Sequence, residues 1–208
     1  MKQGSPEWFE ARKGKITASR FSVLLYGTVD AWNTYIEELR FGWKQEFTSD
    51  SVQWGERHEA EARACYELCH ATDFVEECGF ILHPKYPNVG GSPDGLVGED
   101  GLVEIKCPYN PAVHEATLRH GVPAEHIPQI QGNLWVTGRK WCDFISYDPR
   151  QSGLSRRCFV QRVTRCPNVE RKIEERVALF RSILAEGRYA SVSDFQINPV
   201  EDEIPNLF

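Results

Sequence analysis

The sequence predicts an α/β protein in which a central mixed β-sheet is flanked by α-helices. Short apolar runs between turn residues indicate strands at 74–83, 89–91, 141–148 and 157–163. Two further runs, 92–97 and 102–107, are joined by the turn-rich link Gly98-Glu-Asp-Gly101, a pattern typical of a β-hairpin. Long segments of helical periodicity precede and follow these strands, at 51–71 and 167–188.

The remaining helices can be placed from their end signals and their apolar spacing. Ser5-Pro6-Glu7 combines a capping serine, a proline at the first position and an acid in the first turn, and Gly14 ends this helix. Further helices are predicted at about 17–25, 30–44, 111–120 and 124–136. The last twenty residues are polar and contain proline, so about 190–208 is predicted to be a surface tail of a single domain spanning 1–208.

Composition places the chain among ordinary globular proteins. Hydrophobic residues make up 41% and charged residues 26% of its 208 residues. No apolar run approaches the roughly 20 residues that span a bilayer, and the N-terminus lacks the apolar core of a signal peptide, so a cytoplasmic protein is expected. The seven cysteines include no Cys-x-x-Cys pair, which favours reduced thiols over a disulfide framework or a zinc finger.

The net charge of −6 argues weakly against nucleic acid, but its distribution argues differently. Residues 46–104 carry 13 acidic and 3 basic side chains, whereas residues 139–181 carry 11 basic and 5 acidic ones. An acidic segment that binds metal, together with a basic segment, is typical of an enzyme that binds phosphates at one part of its surface. An ordinary mixed surface is the alternative.

The predicted hairpin carries the residues with the clearest chemistry. Asp94 lies at the start of its first strand, and Glu104 and Lys106 lie on the second, where residues two apart share a face and Ile105 packs on the other. Converging carboxylates can hold Mg²⁺, and a neighbouring lysine can orient or deprotonate a metal-bound water. Carboxylates, a bound metal and a lysine in this arrangement can hydrolyse a phosphodiester. Glu-x-Lys on an ordinary surface strand is otherwise a solvated charge pair.

Several motifs occur in an order that resembles the bacteriophage-lambda-type exonucleases, which are PD-(D/E)xK nucleases. They are Trp8-Phe-Glu-Ala-Arg12 with Thr17-Ala-Ser19, Trp54-Gly-Glu-Arg-His-Glu59, Ser92-Pro-Asp94, Glu104-Ile-Lys106-Cys-Pro, Gln129-Ile-Gln131 and Tyr147-Asp-Pro-Arg150. The resemblance covers residues 8 to 150 and implies a restriction-endonuclease-like fold. It assigns nothing to residues 27–50 or to the tail.

The resemblance implies a role for each residue of a metal site. Asp94, Glu104 and the carbonyl of Ile105 would bind divalent metal, and Lys106 would position the attacking water. Glu59, on a helix, would help to bind a second metal or its water, although a solvated helix acid is the alternative. The implied cofactor is Mg²⁺, for which Mn²⁺ substitutes, with two ions in the active site.

Arg12, Ser19, Ser92 and Gln131 match family positions that bind the 5′-terminal phosphate. The alternatives are a surface cation for Arg12, turn or cap residues for the two serines and a core-edge amide for Gln131. A terminal phosphate offers only acceptors and therefore needs a guanidinium, hydroxyls and an amide N–H. Val52 matches an apolar side chain that separates the terminal base pair, and core packing is its alternative.

The implied activity is a 5′–3′ exonuclease that digests one strand of linear double-stranded DNA and leaves a 3′ single strand for homologous recombination. The chain has no Gly-x-x-x-x-Gly-Lys-Ser/Thr motif, so ATP-independent action is expected. The family also implies a ring-shaped homotrimer, a single-strand annealing protein as partner and no membrane. Two alternatives stay open: a structure- or sequence-specific endonuclease on the same hairpin, and a non-catalytic DNA-binding subunit. Intact Asp94, Glu104 and Lys106 weaken the second.

Overall fold

The computed structural model describes residues 2–42, 49–70 and 74–196. Its helices are α1 (Pro6–Arg12), α2 (Phe21–Tyr26), α3 (Val29–Phe41), α4 (Asp50–His70), α5 (Pro111–His120), α6 (Ile127–Thr137), α7 (Leu154–Arg157), α8 (Pro167–Ala185) and α9 (Val192–Gln196). Its strands are β1 (Ile16–Thr17), β2 (Val75–Glu76), β3 (Ile81–Leu82), β4 (Val89–Gly91), β5 (Gly95–Val97), β6 (Gly101–Lys106), β7 (Trp141–Tyr147) and β8 (Cys158–Thr164). Short 3₁₀ turns, Ala18–Arg20 and Ala124–His126, precede α2 and α6. None of the described helices is long and apolar enough to cross a membrane.

A five-stranded mixed sheet lies at the centre, in the order β2-β5-β6-β7-β8. Strands β6 and β7 are parallel, because α5 and α6 carry the chain back between them, and the other neighbours are antiparallel. The predicted α/β class with a central mixed sheet is confirmed.

A second, three-stranded sheet in the order β1-β4-β3 was not predicted. The single strand predicted over 74–83 is wrong, because its two ends pair with different partners. β2 pairs with β5 in the central sheet, whereas β3 pairs with β4 in the small one. Apolar spacing alone does not reveal such a change of partner.

Side-chain alternation along β6 fixes which helix each residue meets. Val103 and Ile105 join the apolar cluster that contains Tyr66 of α4, whereas Leu102 joins the cluster that contains Ile130 of α6. Glu104, one residue from both Val103 and Ile105, therefore faces α6 rather than solvent. The sheet lies between two helices, and the acidic residue is enclosed on the α6 side.

A third apolar cluster joins α2, α3, α6 and α8. Tyr35 stacks on Phe180 with ring centroids 5.2 Å apart, and Trp32 meets the same ring edge-on at 5.1 Å. The end of the chain contributes as well: Phe195 of α9 contacts Trp32 at 4.8 Å, and Asp194 is buried. The surface tail predicted over 190–208 is therefore wrong for residues 190–196, and 197–208 lie outside the described residues.

Candidate active site

The β5–β6 hairpin brings Asp94 beside the strand that carries Glu104 and Lys106. The Asp94 N–H donates to the Val103 carbonyl at 3.1 Å, which holds the start of β5 against β6. Its side chain turns toward the same strand, where Oδ2 accepts a hydrogen bond from the Ile105 N–H at 2.7 Å. The Ile105 side chain is 6% exposed and packs on the opposite face, as predicted.

Glu104 is almost completely buried, at 1% exposure, and both of its oxygens are held by hydrogen bonds. Oε1 accepts from Lys106 Nζ and from Gln129 Nε2, each at 2.6 Å. Oε2 accepts from Asn133 Nδ2 at 3.3 Å. These bonds fix the carboxylate in one orientation, as required of a group that must present an oxygen at a defined point.

Burial sets the protonation behaviour of this cluster. Loss of hydration raises the pKa of Glu104 to about 7, because the attraction of Lys106 only partly offsets burial and the repulsion of Asp94 adds to it. The pKa of Asp94 is raised by the same burial, against the attraction of Lys106. Burial acts to lower the pKa of Lys106, but Glu104 and Asp94 outweigh it and the pKa is raised. Lys106 is therefore a cation here.

Glu59 reaches the same group of carboxylates from α4. Its Oε1 accepts from Arg63 Nη2 at 2.8 Å, and the same nitrogen donates to the Asp94 carbonyl at 3.4 Å. Burial raises the pKa of Glu59, and the nearby Asp94 carboxylate adds to the rise. Arg63, which the sequence interpretation did not select, thus links the helix to the hairpin. Its spacing of four residues from Glu59 is the sequence signal for this pair.

The donor set fits a hard divalent cation. Asp94 and Glu104 offer carboxylate oxygens and repel each other in a buried setting that a bound cation would relieve, and Glu59 is near enough to Asp94 to feel its charge. No three His, Cys, Asp or Glu side chains form a metal-binding group by themselves within the described ranges. Mg²⁺ accepts such a site, because it keeps several waters and takes only one or two carboxylates. The role of the Ile105 carbonyl stays a prediction.

Three of the four predicted phosphate-binding residues lie together around Trp8. The Arg12 guanidinium stacks on the Trp8 ring, 3.9 Å from its centroid, and Nη2 donates to Ser19 Oγ at 3.4 Å. Trp8 Nε1 donates to Ser92 Oγ at 3.0 Å. Arg12 forms no ion pair with any described residue, so its charge remains available to an anion. Burial lowers the pKa of Arg12, which still leaves it protonated at neutral pH.

The prediction for Gln131 is wrong. Its side chain is completely buried, with Nε2 donating to the Thr164 carbonyl at 2.8 Å and Oε1 accepting from the Cys166 N–H at 2.9 Å. Both ends of the amide join α6 to the end of β8, so neither is available to a ligand. Gln131 is a structural residue.

The sequence interpretation missed Gln129 and Asn133, which contact Glu104 instead. They lie four residues apart on α6 and therefore share the face turned to the carboxylate. Asn133 Oδ1 is buried without a hydrogen-bond partner, and it lies against the α-carbon of Gly91. The spacing in Gln129-Ile-Gln-Gly-Asn133 could have indicated this pair.

A cleft between α1 and α4 connects the two groups of residues. Trp8 and Phe9 line it on one side, and Glu59 and Arg63 line it on the other, with Asp94 between them. Asp94 and Glu59 of the predicted metal site thus line the same cleft as Trp8, whose ring contacts Arg12 and whose Nε1 donates to Ser92. Val52, in the first turn of α4, is 49% exposed, which excludes core packing and leaves strand separation as a prediction.

Comparison with known proteins identifies the family. The YqaJ-like viral recombinase domain matches residues 7–140. An alkaline exonuclease from Laribacter hongkongensis is 39% identical, with a TM-score of 0.81, over 88% of this chain and 94% of that chain. The same exonuclease in complex with dAMP matches equally well. No curated protein gives a significant match.

A phage related exonuclease from Haemophilus somnus 129PT, 15% identical with a TM-score of 0.65, shares the fold over 83% of this chain and 94% of that chain. These matches confirm the predicted fold class and the predicted resemblance to lambda-type exonucleases. The chain belongs to the YqaJ-like viral recombinase family.

Proposed function

We propose that this protein is a Mg²⁺-dependent, ATP-independent 5′–3′ exonuclease that digests one strand of linear double-stranded DNA and leaves a 3′ single strand. Its assignment as a deoxyribonuclease is supported by the family match and by the exonuclease relative. The observation that supports the proposal is one cleft. Asp94 and Glu59 of the proposed metal site line it together with Trp8, which contacts Arg12 and Ser92 of the proposed phosphate site.

Asp94, Glu104 and Glu59 would hold the metal, with two ions as the proposed number. When bound, divalent metal polarises the scissile phosphate and lowers the pKa of a coordinated water. The protein would orient the carboxylates that bind the metal. Gln129 and Asn133 fix the Glu104 carboxylate, and the Ile105 N–H fixes that of Asp94.

Lys106 would orient the attacking water and stabilise charge that develops on the phosphate. Its ammonium lies 2.6 Å from Glu104 Oε1, so its place is fixed relative to the carboxylates. Because its pKa is raised by those carboxylates, the charged form prevails and a positioning role suits it better than proton abstraction.

Arg12, Ser19 and Ser92 would bind the 5′-terminal phosphate. A guanidinium without a carboxylate partner, beside two hydroxyls, complements an anion that can only accept hydrogen bonds. A terminal phosphate held there would place the neighbouring phosphodiester near the cleft that Asp94 and Glu59 line. The geometry therefore favours cleavage at a DNA end over cleavage within a chain.

The proposal extends to assembly and setting. A homotrimeric ring would keep the enzyme on DNA through many cycles, and a single-strand annealing protein in the cytoplasm would receive the 3′ strand. Sedimentation of the 23.8 kDa chain tests the first of these. A monomer that still digests kilobases in one encounter would contradict the ring.

The direction of digestion tests the activity itself. Linear duplex labelled at the 5′ end of one strand, or at its 3′ end, is incubated with Mg²⁺ or with chelator. We expect the 5′ label to be released first as a mononucleotide, and no release with chelator. Earlier release of the 3′ label, or equal release with chelator, would refute the proposal.

A further inference from the structure

The cleft between α1 and α4 contains an aromatic ring that the proposed chemistry does not use. Phe9 lines this cleft together with Trp8, Glu59 and Asp94. Its side chain is 62% exposed, and the α1 helix that carries it buries no residue. The ring therefore serves neither the apolar core nor the anchoring of the helix.

Trp8 fixes the place of Phe9 relative to the phosphate pocket. The two rings meet edge to face, with centroids 5.0 Å apart and an interplanar angle of 77°. Trp8 is only partly exposed, Arg12 stacks on its ring, and its Nε1 is bonded to Ser92. Phe9 is the more exposed ring of the pair that lines the cleft.

We propose that Phe9 forms a subsite for the nucleobase of the 5′-terminal nucleotide. The inference rests on the proposed function, in which Arg12 binds the terminal phosphate and Asp94 and Glu104 act on the next one. The base between these phosphates has left its stack in the duplex and needs another apolar face. An aromatic ring accepts any base, because every base has a π-face, so the subsite binds without sequence preference.

The charges around the cleft favour binding of the base, rather than of a second phosphate, at Phe9. Two cations, Lys2 and Arg63, line the cleft together with four carboxylates, those of Glu56, Glu59, Glu77 and Asp94. The cation on the α4 wall, Arg63, is already paired with Glu59 and Glu77. Carboxylates therefore outnumber cations around the cleft, which disfavours a second phosphate there and leaves the exposed Phe9 ring as an apolar surface.

A pair of 5′-phosphorylated duplexes tests the subsite. Each has one unpaired 5′-terminal nucleotide, and in one of them this nucleotide lacks its base, so that strand separation is equal for both. We expect kcat/KM to be about 5- to 150-fold higher with the base than without it, the range of one base stacked on an aromatic side chain. Phe9→Ala should digest both equally slowly, and Phe9→Tyr should restore the preference.

Phe41→Ala is the matched control, because it removes another exposed phenylalanine ring, 80% exposed at the end of α3, outside the cleft. It should keep the parental preference. Calorimetry supplies a measurement that does not depend on turnover. The parent should bind dAMP about 5- to 150-fold more tightly than 2-deoxyribose 5-phosphate, and Phe9→Ala should bind the two alike.

The outcomes separate the subsite from the activity. If the parent digests both duplexes with equal kcat/KM, or if Phe9→Ala keeps the parental preference, the subsite is wrong and the exonuclease proposal stands. If the parent digests neither duplex, the exonuclease proposal itself has failed. Because Phe9 is exposed and α1 buries nothing, all variants should fold as the parent does.

Discussion

The proposed preference for a 5′-phosphate would depend most on Arg12. Its guanidinium has a fixed orientation on Trp8 and no ion-pair partner among the described residues. A hydrogen bond to a charged group is worth roughly 1.5–3 kcal/mol, so we expect 5′-phosphate ends to be digested about 10- to 150-fold faster than 5′-hydroxyl ends. Arg12→Ala should remove most of this ratio while slow digestion of hydroxyl ends continues. Initial rates on matched duplexes measure it.

Two variants complete the test of Arg12. Arg12→Lys should restore only part of the preference, because an ammonium lacks the planar fork of the guanidinium. Arg119→Ala removes the same charge from an exposed position on α5, with its side chain 71% exposed, and should keep the parental ratio. Equal rates on both ends for the parent would exclude the phosphate pocket.

Gln129 and Gln131 should respond in opposite ways to the same substitution. Gln129→Leu removes a hydrogen bond to the buried Glu104 carboxylate, so activity should fall about 10- to 150-fold with little change in stability. Gln131→Leu leaves the Thr164 carbonyl and the Cys166 N–H without partners, at about 1–3 kcal/mol for each. The preference of Gln131→Leu for 5′-phosphate over 5′-hydroxyl ends should equal that of the parent. Initial rates and chemical denaturation of both variants measure these effects. Loss of stability in Gln129→Leu together with loss of phosphate preference in Gln131→Leu would contradict the roles assigned to the two residues.

The sequence predicted the β5–β6 hairpin and the shared face of Glu104 and Lys106, but it did not predict which of the two glutamines contacts Glu104. Alternation along β6 is enough to place Glu104 and Lys106 on one face, because a strand has only two faces. α6 is buried over most of its length, from Ile127 to Val136, so polarity does not reveal which side of it faces the site. The partner of each amide depends on tertiary packing.

At the scale of elements, the close approach of α6 to β4 sets the position of Glu104. A Cβ atom added at Gly91 would lie 2.3 Å from Asn133 Oδ1, so Gly91→Ala must displace Asn133, which donates to Glu104. Overpacking of this kind costs about 1–3 kcal/mol, and we expect lower activity as well as lower stability. Thermal unfolding and initial rates measure the two effects.

Gly55→Ala is the control for this substitution. A Cβ atom at Gly55 has nothing within 4 Å, and the residue lies inside α4. Alanine in a helix is favoured over glycine by about 1 kcal/mol, so this variant should be more stable than the parent. If Gly91→Ala matched the parent in stability and activity, the positioning of Glu104 through Asn133 would be wrong.

The predictions of secondary structure were wrong for segments whose structure depends on tertiary contacts. Most helices lie within a few residues of their predicted bounds, since capping residues and apolar spacing are local signals. Residues 190–196 were predicted to be a tail because they are polar. Asp194 is nevertheless buried, since Arg188 donates to both of its oxygens, at 2.8 and 2.9 Å. An aspartate whose charge is paired in this way can be buried, and the composition of the segment does not reveal the pairing.

At the scale of the whole molecule, the most basic part of the sequence does not contain the proposed phosphate site. The basic stretch 139–181 was expected to bind phosphate, but at least six of its 11 cations are in ion pairs. The pairs are Lys140–Asp100, Arg150–Asp148, Arg156–Glu115, Arg162–Asp143, Arg165–Glu170 and Arg171–Glu175. Arg12, the cation proposed to bind phosphate, lies outside this stretch.

The buried carboxylates couple the stability of the protein to pH and to metal. Because the folded pKa of Glu104 is raised to about 7, its protonated form favours folding at low pH, and this stability is lost as pH rises from about 4.5 through 7. Divalent metal binds the deprotonated group. The rise in Tm caused by Mg²⁺ should therefore be small at pH 5.5 and larger at pH 8.

At a Mg²⁺ concentration about 100 times Kd, binding contributes about 2.7 kcal/mol, which corresponds to about 5–10 °C in Tm for a chain of this size. Glu104→Gln removes the titrating group without a change of shape and should show a much smaller rise with little dependence on pH. Thermal unfolding with Mg²⁺ or chelator at both pH values measures this. A rise that is larger at pH 5.5 would contradict the coupling.

The most direct test of the central claim compares two DNA topologies in one assay. The parent and Glu104→Gln are incubated with Mg²⁺ and with linear 5′-phosphorylated duplex or a covalently closed circle of the same sequence, and nucleotide release and nicking are followed. The parent should digest the linear DNA and leave the circle intact, and Glu104→Gln should digest the linear DNA at least about 10²-fold more slowly. Nicking of the circle at a comparable rate would contradict the exonuclease assignment, and near-parental digestion by well-folded Glu104→Gln would contradict the site.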